Sequence, residues 1–219
     1  MRLHDERERV VAYCQRMDQQ HLTVGTSGNI SIYNPKEFLV AISPTGVDYS
    51  MMKAQDVVVV TLEGKKVEGE LQPSSEVDMH CLFYQHRPDV LAVVHTHSLY
   101  ATALACLNQH LPMIHPILAC AGGEVQCLPF LPSHTKSFAQ AVLEAIESRY
   151  ALLLGNHGVL AAGTSIEYAY QVAEMVEFCA QLYCISSSVG KPILMSEYDL
   201  EDMNQRFSRK RTLDLVRWE

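Results

Sequence analysis

Apolar and polar positions follow one another along the chain with two different periods. Val10, Val11, Cys14 and Met17 recur at helical spacing within a charged stretch, which predicts an amphipathic opening helix ending near Gln20. Three short strand-like runs follow at 29–33, 38–42 and 57–62, divided by Gly, Pro and Asn turn signals. Helices and strands then take turns: a helix over 75–86, a buried strand over 90–95, and helices over 100–107 and 137–148. Strand-like pieces at 151–154 and 159–162 flank the turn Gly155-Asn156-His157-Gly158. A long helix from 165 to about 187 carries the apolar stripe Ala169, Val172, Ala173, Val176 and Ala180. No repeat, low-complexity stretch or linker interrupts this order, so residues 1–219 read as one α/β domain.

Composition narrows the function classes. With 219 residues, 48% of them hydrophobic and 19% charged, the chain is an ordinary globular sequence long enough to bury a core. Seventeen Lys and Arg against 25 Asp and Glu give a net charge of −8, and no basic block is present, which argues against a nucleic-acid partner. The cluster Arg206, Arg209, Lys210 and Arg211 is short and reads as a solvated tail or helix end. The seven cysteines form no Cys-x-x-Cys pair, sit mostly among apolar neighbours, and read as buried free thiols of a reducing compartment. The first residues carry charges where a signal peptide needs an apolar stretch, and no apolar run approaches the ~20 residues that span a bilayer. The expectation is a cytoplasmic protein without a membrane partner.

The ten histidines are the better lead. In Val93-Val94-His95-Thr96-His97, side chains two apart on a strand share a face, so His95 and His97 can aim two imidazoles at one point. Such a pair is more often solvated or hydrogen-bonded than metal-binding. His157 lies in a turn with glycines on both sides, which would let the backbone bend and project the ring from a sheet edge. Alone it reads as solvent-facing; three histidines at strand ends would leave an open coordination position, as catalytic metal sites do.

Hydroxyl-rich turns supply the second ingredient. Gln72-Pro73-Ser74-Ser75-Glu76-Val77-Asp78 precedes a helical run. Proline, then serine, then acidic residues is how many helices begin, and that suffices to explain the serines and Asp78. The functional reading makes Ser74 and Ser75 phosphate ligands at a helix N-terminus and Glu76 an acid/base. Gly25-Thr26-Ser27-Gly28-Asn29 can turn backbone N–H groups toward an anion, or be a simple turn, and Ser43-Pro44-Thr45-Gly46 adds further hydroxyls. Three such turns without clustered basic residues suit one small phosphate rather than a polyanion.

Taken in order, Gly25 to Asn29, Ser43 to Gly46, Pro73 to Glu76, His95 to His97 and Asn156 to Gly158 resemble the class II aldolase family, which also contains sugar-phosphate epimerases. Ala121-Gly122-Gly123 and the 177–183 stretch are similar too. The resemblance implies a three-layer α/β/α domain with a mostly antiparallel central sheet, and a homotetramer with active sites at subunit interfaces. It implies Zn2+, or Mn2+ or Co2+, on His95, His97 and His157. Phosphate of a small sugar phosphate would be held by Thr26, Gly28, Asn29, Ser43, Gly46, Ser74 and Ser75. Glu76 would transfer the proton, its pKa raised by burial and opposed by the cation.

The implied reaction is reversible, metal-dependent cleavage of a ketose 1-phosphate to dihydroxyacetone phosphate and an aldehyde. Glu76 favours an aldolase, because the epimerases carry aspartate there. The substrate would be L-fuculose 1-phosphate, or a 5-deoxypentulose or 5-methylthioribulose 1-phosphate. Related aldolases have a tyrosine in the segment matching Met113-Ile114-His115-Pro116 and another in an aromatic tail, where this chain has Phe207-Ser208-Arg209-Lys210. The proton for the aldehyde oxygen is thereby left to His115, Lys210 or a water. Other family reactions, methylthioribulose 1-phosphate dehydration or 3-oxo-tetronate 4-phosphate decarboxylation, remain open. A non-catalytic adducin-like interaction module is the alternative of another class; it has no need of three histidines.

Overall fold

The computed structural model describes residues 1–216; residues 217–219, the end of the expected single domain, lie outside the described residues. The opening helix, α1 (His4–Gln19), buries Val10, Cys14 and Met17. Arg7 of the same helix is also buried. Its guanidinium donates to the carbonyls of Arg2 (2.9 Å) and Val57 (2.7 Å) and pairs with Glu68 (3.0 Å), so its charge and N–H groups are partnered.

Eight strands follow in the order β4-β3-β2-β1-β5-β8-β7-β6 across one sheet: β1 (Asn29–Asn34), β2 (Leu39–Ile42), β3 (Val58–Thr61), β4 (Lys66–Glu68), β5 (Ala92–Thr96), β6 (Cys127–Leu128), β7 (Ala151–Leu154) and β8 (Gly158–Gly163). Every pairing is antiparallel except β6 with β7. The helices are α2 (Val77–His86), α3 (Leu99–Cys106), α4 (Lys136–Ile146), α5 (Ile166–Val189) and α6 (Glu197–Val216). α2 and α4 cover one face of the sheet and α1, α3 and α5 the other, giving three layers, with α6 outside them against the turn at Pro116–Ala121.

Alternation along the strands supplies both cores. On β1, Ile30 and Ile32 join α1 and α5, whereas Tyr33 joins α2; on β5, Ala92 and Val94 lie on the α5 side and Val93 on the α2 side. The register then sets the site, because Asn29 pairs with His95, and His95 with Leu160.

Several features were not read from the sequence. β4 and β6 are only three and two residues long, below what a period of two can reveal. The sequence offers no element for α6, only its basic cluster as a solvated tail or helix end; the cluster lies on this helix, where Leu200 and Phe207 are buried and one face packs on the turn at Pro116–Ala121. Its basic cluster is partly structural: Arg211 lies 4.6 Å from the Tyr150 ring centre and donates to the Tyr168 hydroxyl at 2.8 Å. The cysteines are all free, as expected, but only Cys14, Cys81, Cys120 and Cys179 are buried; Cys127 and Cys184 are half-buried and Cys106 is exposed. Among the described residues no helix is long and apolar enough to cross a membrane.

Candidate active site

The ends of β1, β5 and β8 and the start of α2 meet at one point. His95 is the next-to-last residue of β5, buried beside β8, and its Nδ1–H donates to the carbonyl of Val159 at 2.9 Å. That bond leaves the Nε2 lone pair free and fixes the ring, the arrangement metal-bound histidines commonly show. His97 follows past the strand end, where its own backbone N–H donates to the Leu22 carbonyl at 3.0 Å. Its Nε2 sits 3.0 Å from that of His95. His157 completes the group, with ring centres 4.7 Å from His95 and 5.1 Å from His97.

The β7–β8 turn works differently from the sequence expectation. Its left-handed residue is Asn156 (φ 54°), not either glycine. Gly158 is needed for space: a Cβ there would lie 2.8 Å from the His97 ring and closer still to the Thr96 carbonyl oxygen. Gly28 is needed on both counts, at φ +74° and with a would-be Cβ 2.8 Å from the His95 carbonyl oxygen.

Glu76 immediately precedes α2. Ser74 Oγ accepts its backbone N–H at 3.2 Å, as the helix-start reading predicts. The side chain is buried, with Oε2 3.3 Å from His95 Nε2 and Oε1 3.5 Å from His157 Nε2. Asn29 Nδ2 donates to Oε2 at 2.8 Å, whereas Oε1 has no hydrogen-bond partner. Burial pushes the Glu76 carboxyl up; positive charge at His95, the Asn29 donor and then positive charge at His157 pull it down, and a cation held by these histidines would act in the same direction. His97 and His157 are pushed down to about 3 and about 4, by burial first and then by neighbouring imidazoles, which keeps them neutral with lone pairs available.

These features fit a divalent cation. The ligating atoms of His95, His97 and His157 lie within 4.8 Å of one another. His95 Nε2 directs a lone pair into the cluster beside a carboxylate that has one oxygen orphaned, an arrangement a cation relieves. The all-imidazole set with a carboxylate alongside matches borderline metals of the zinc type better than calcium or magnesium.

A cavity of about 200 Å³ opens on this cluster, lined by Thr26, Gly28, Asn29, Ser74, Glu76, His97 and His157, and also by Ser27, Pro44, Thr45 and His134. Its loops are stapled together. Ser74 N–H donates to the Ser43 carbonyl (3.0 Å), Thr45 N–H to Gln72 (3.1 Å), and the Tyr49 hydroxyl to Gly28 (2.6 Å). Ser43 is buried with its Oγ accepting the Ile30 N–H at 3.1 Å, and Ser75 is exposed; neither they nor Gly46 line the cavity of this single chain. His134 and Thr45 are additions. His134 sits in an ordinary-looking loop, and only its left-handed backbone (φ 64°) and its place in the cavity mark it. His115 instead accepts the Ile117 N–H, and Lys210 is held by Gln171 at 2.5 Å. A larger hollow of about 1190 Å³, lined among others by Tyr150, Tyr198 and Arg211, gathers no comparable set of ligating side chains among the described residues.

The comparisons with known proteins agree with this geometry. The family model described as Class II Aldolase and Adducin N-terminal domain matches residues 8–184. The chain is 46% identical over 207 residues to a 5-deoxy-D-ribulose 1-phosphate aldolase of Bacillus thuringiensis serovar kurstaki, covering 94% of this chain and 97% of the relative. It is 35% identical to an L-fuculose phosphate aldolase of Escherichia coli, over 90% of this chain and 92% of that one. A solved L-fuculose 1-phosphate aldolase structure superposes with a TM-score of 0.91 at 38% identity, over 95% of this chain and 98% of the other.

Proposed function

The chain belongs to the class II aldolase and adducin family and is an aldehyde-lyase of that family, and from this premise we propose that its substrate is a 5-deoxypentulose 1-phosphate, cleaved reversibly to dihydroxyacetone phosphate and acetaldehyde. A 5-methylthio substituent or the longer L-fuculose 1-phosphate would alter only the aldehyde product. The observation that carries the reading is the meeting of three imidazoles with the buried carboxylate of Glu76 at the floor of a hydroxyl-lined cavity.

In this reading His95, His97 and His157 hold the cation, zinc by preference with manganese or cobalt as substitutes. When bound it supplies Lewis acidity, drawing electron density from the ketose carbonyl as the C3–C4 bond breaks. Thr26, Gly28, Asn29 and Ser74 hold the substrate phosphate from the cavity wall, with Ser43, Gly46 and Ser75 behind or beside them. Glu76 serves C3. In the condensing direction its carboxylate takes a proton from C3 of dihydroxyacetone phosphate, and in cleavage it returns that proton. The C4 hydroxyl must lose a proton as the aldehyde forms, and His134 is the group we assign to it. Apart from Glu76 and the ligand histidines, it is the titratable side chain lining the cavity.

We further read the protein as cytoplasmic, supported by its free cysteines, and as a homotetramer with interface sites. Exposed Phe178, Ile185 and Val189 on α5, with Leu99 and Leu107 at α3, support assembly. Light scattering should give four chains. The function is tested by an activity panel of ketose 1-phosphates differing at C5 and C6, with bound metal measured on the same sample. Stoichiometric metal and dihydroxyacetone phosphate from the 5-deoxy substrate are expected. A dehydrated or decarboxylated product instead would replace the aldolase reading with another family reaction.

A further inference from the structure

Glu76 stands at the end of a line of buried polar side chains of which the proposed reaction uses only the first, Asn29, whose second Nδ2 hydrogen is left for the substrate phosphate. Asn29 Nδ2 donates to Glu76 Oε2 at 2.8 Å, and its other amide atom, Oδ1, lies 2.5 Å from His80 Nε2. His80 Nδ1 lies 2.6 Å from Ser31 Oγ, and Ser31 Oγ lies 2.6 Å from the Tyr84 hydroxyl, which also reaches the Ser31 carbonyl at 3.1 Å. Asn29, Ser31, His80 and Tyr84 are all buried, two on β1 and two on α2, so no water competes for these bonds.

The direction of each bond follows from the first. An ionised carboxylate only accepts, so the Asn29 amide must turn its NH2 toward Glu76 and its oxygen toward His80. That oxygen requires an N–H on His80 Nε2. Burial pushes His80 down to about 3, so the ring is neutral and carries a single N–H. His80 Nδ1 therefore accepts from the Ser31 hydroxyl, and the single Tyr84 hydrogen is given to Ser31 Oγ at 2.6 Å, shared with the more distant Ser31 carbonyl at 3.1 Å. All donors point toward Glu76. A His80 ring protonated at Nδ1 instead would face Asn29 Oδ1 with a lone pair, and relief by flipping the amide would set that oxygen against the Glu76 carboxylate.

We propose that His80, backed by Ser31 and Tyr84, is a positioning residue for Glu76: it locks the Asn29 amide in the one orientation that donates to the carboxylate. The inference rests on the reading of Glu76 as the proton-transfer group, and the line it describes binds neither substrate nor metal through His80. The function of the line is orientation, since a carboxylate a fraction of an ångström or a few tens of degrees out of place transfers its proton poorly.

The test uses the full-length, metal-loaded protein. Steady-state cleavage, bound metal, thermal midpoint and exchange of the C3 proton of dihydroxyacetone phosphate with deuterium oxide are measured for His80→Leu and His80→Gln. In His80→Leu, kcat and exchange fall together by about 10-fold, the lower range seen for supporting partners of active groups, while KM and metal content stay at wild-type values. His80→Gln, whose amide N–H can still donate to Asn29, recovers most of the loss. Wild-type kcat and exchange in His80→Leu, or a Gln variant no better than Leu, overturns the proposal. Should His80→Leu not fold, Ser31→Ala removes one oxygen and little volume, and an unchanged exchange rate there overturns it equally. Nitrogen-15 NMR of the wild-type ring must show Nε2 protonated; Nδ1 protonation contradicts the line whatever Glu76 does. Glu76→Gln run in parallel keeps the two readings apart, since exchange surviving in that variant removes Glu76 from the reaction while leaving the His80 tautomer as found.

Discussion

The two faces of β1 and β5 are packed by different chemistry. Under α1 and α5 the side chains are Ile30, Ile32, Ala92 and Val94, an apolar layer. Under α2 the intervening positions are Asn29, Ser31, Val93 and His95, and α2 answers with His80 and Tyr84, next to Glu76 at its start. Adjacent residues on one strand thus serve opposite ends. The apolar face contributes stability through burial, whereas the polar face gives up apolar area to hold a carboxylate and three imidazoles in fixed positions. A buried polar layer is tolerable only when its hydrogen bonds are made, and the partnerless Glu76 Oε1 marks the point where the layer opens toward the cavity and the proposed metal site.

That contrast can be broken from either side. The largest effect is expected from metal removal: exhaustive chelation should abolish turnover, and one equivalent of divalent cation per chain should restore it. Glu76→Gln should lower kcat by about 10²–10⁴-fold, the usual contribution of a positioned proton-transfer group, while circular dichroism shows an unchanged fold. His134→Phe should lower cleavage by about 10-fold or more on the same grounds, yet leave C3 exchange of dihydroxyacetone phosphate intact, because only the aldehyde half needs its proton. On the apolar face Ile30→Val should cost about 0.5–1.5 kcal/mol in denaturant unfolding with kcat of the folded protein unchanged.

The smallest effect concerns Asp89, next to β5 at the end remote from His95. Arg87 donates to both its oxygens at 2.8 Å and the Tyr150 hydroxyl donates at 2.7 Å. Burial pushes this carboxyl up, but the bonds from Arg87 and Tyr150 and the guanidinium charge outweigh it, leaving it below the ordinary range. A carboxyl so depressed stabilises the fold above its unfolded value of about 3.9 and ceases to do so as pH falls through its folded value. Asp89→Asn should therefore lower the thermal midpoint at neutral pH, with the gap closing below about pH 4, and should leave kcat unchanged.

Much of the fold was legible because burial on both sheet faces leaves apolar runs bounded by turn residues, as at 151–154 and 90–95. Of the proposed metal ligands, His95 and His97 were legible as a pair on one strand face and His157 as a turn residue, each bland alone, and Glu76 sat in a helix start that explains it without a function; only the resemblance of the ordered motifs joined them. What sequence could not supply was pairing across distance. Ser31 and His80 are 49 residues apart, each bland alone, and only the β1–β5 register and the docking of α2 make them neighbours. His134 was missed because a loop histidine carries no periodic signal. The basic cluster of α6 could be read as a tail or helix end, but not its pairing with Tyr150, Tyr168 and Gln171, which lie elsewhere in the chain. Ser43 was readable as a hydroxyl near the site, but its bond to the Ile30 N–H, which joins two loops to β1, was not.

The central claim is that Glu76, held by the polar face of the sheet, moves a proton at C3 beside a cation on three histidines. Its most direct test is to incubate the metal-loaded protein with dihydroxyacetone phosphate alone in deuterium oxide and follow C3 by proton NMR. The account predicts loss of one C3 proton signal, absent after chelation and in Glu76→Gln. Exchange that persists in Glu76→Gln, or no exchange in a protein that nonetheless cleaves ketose 1-phosphates, would contradict it.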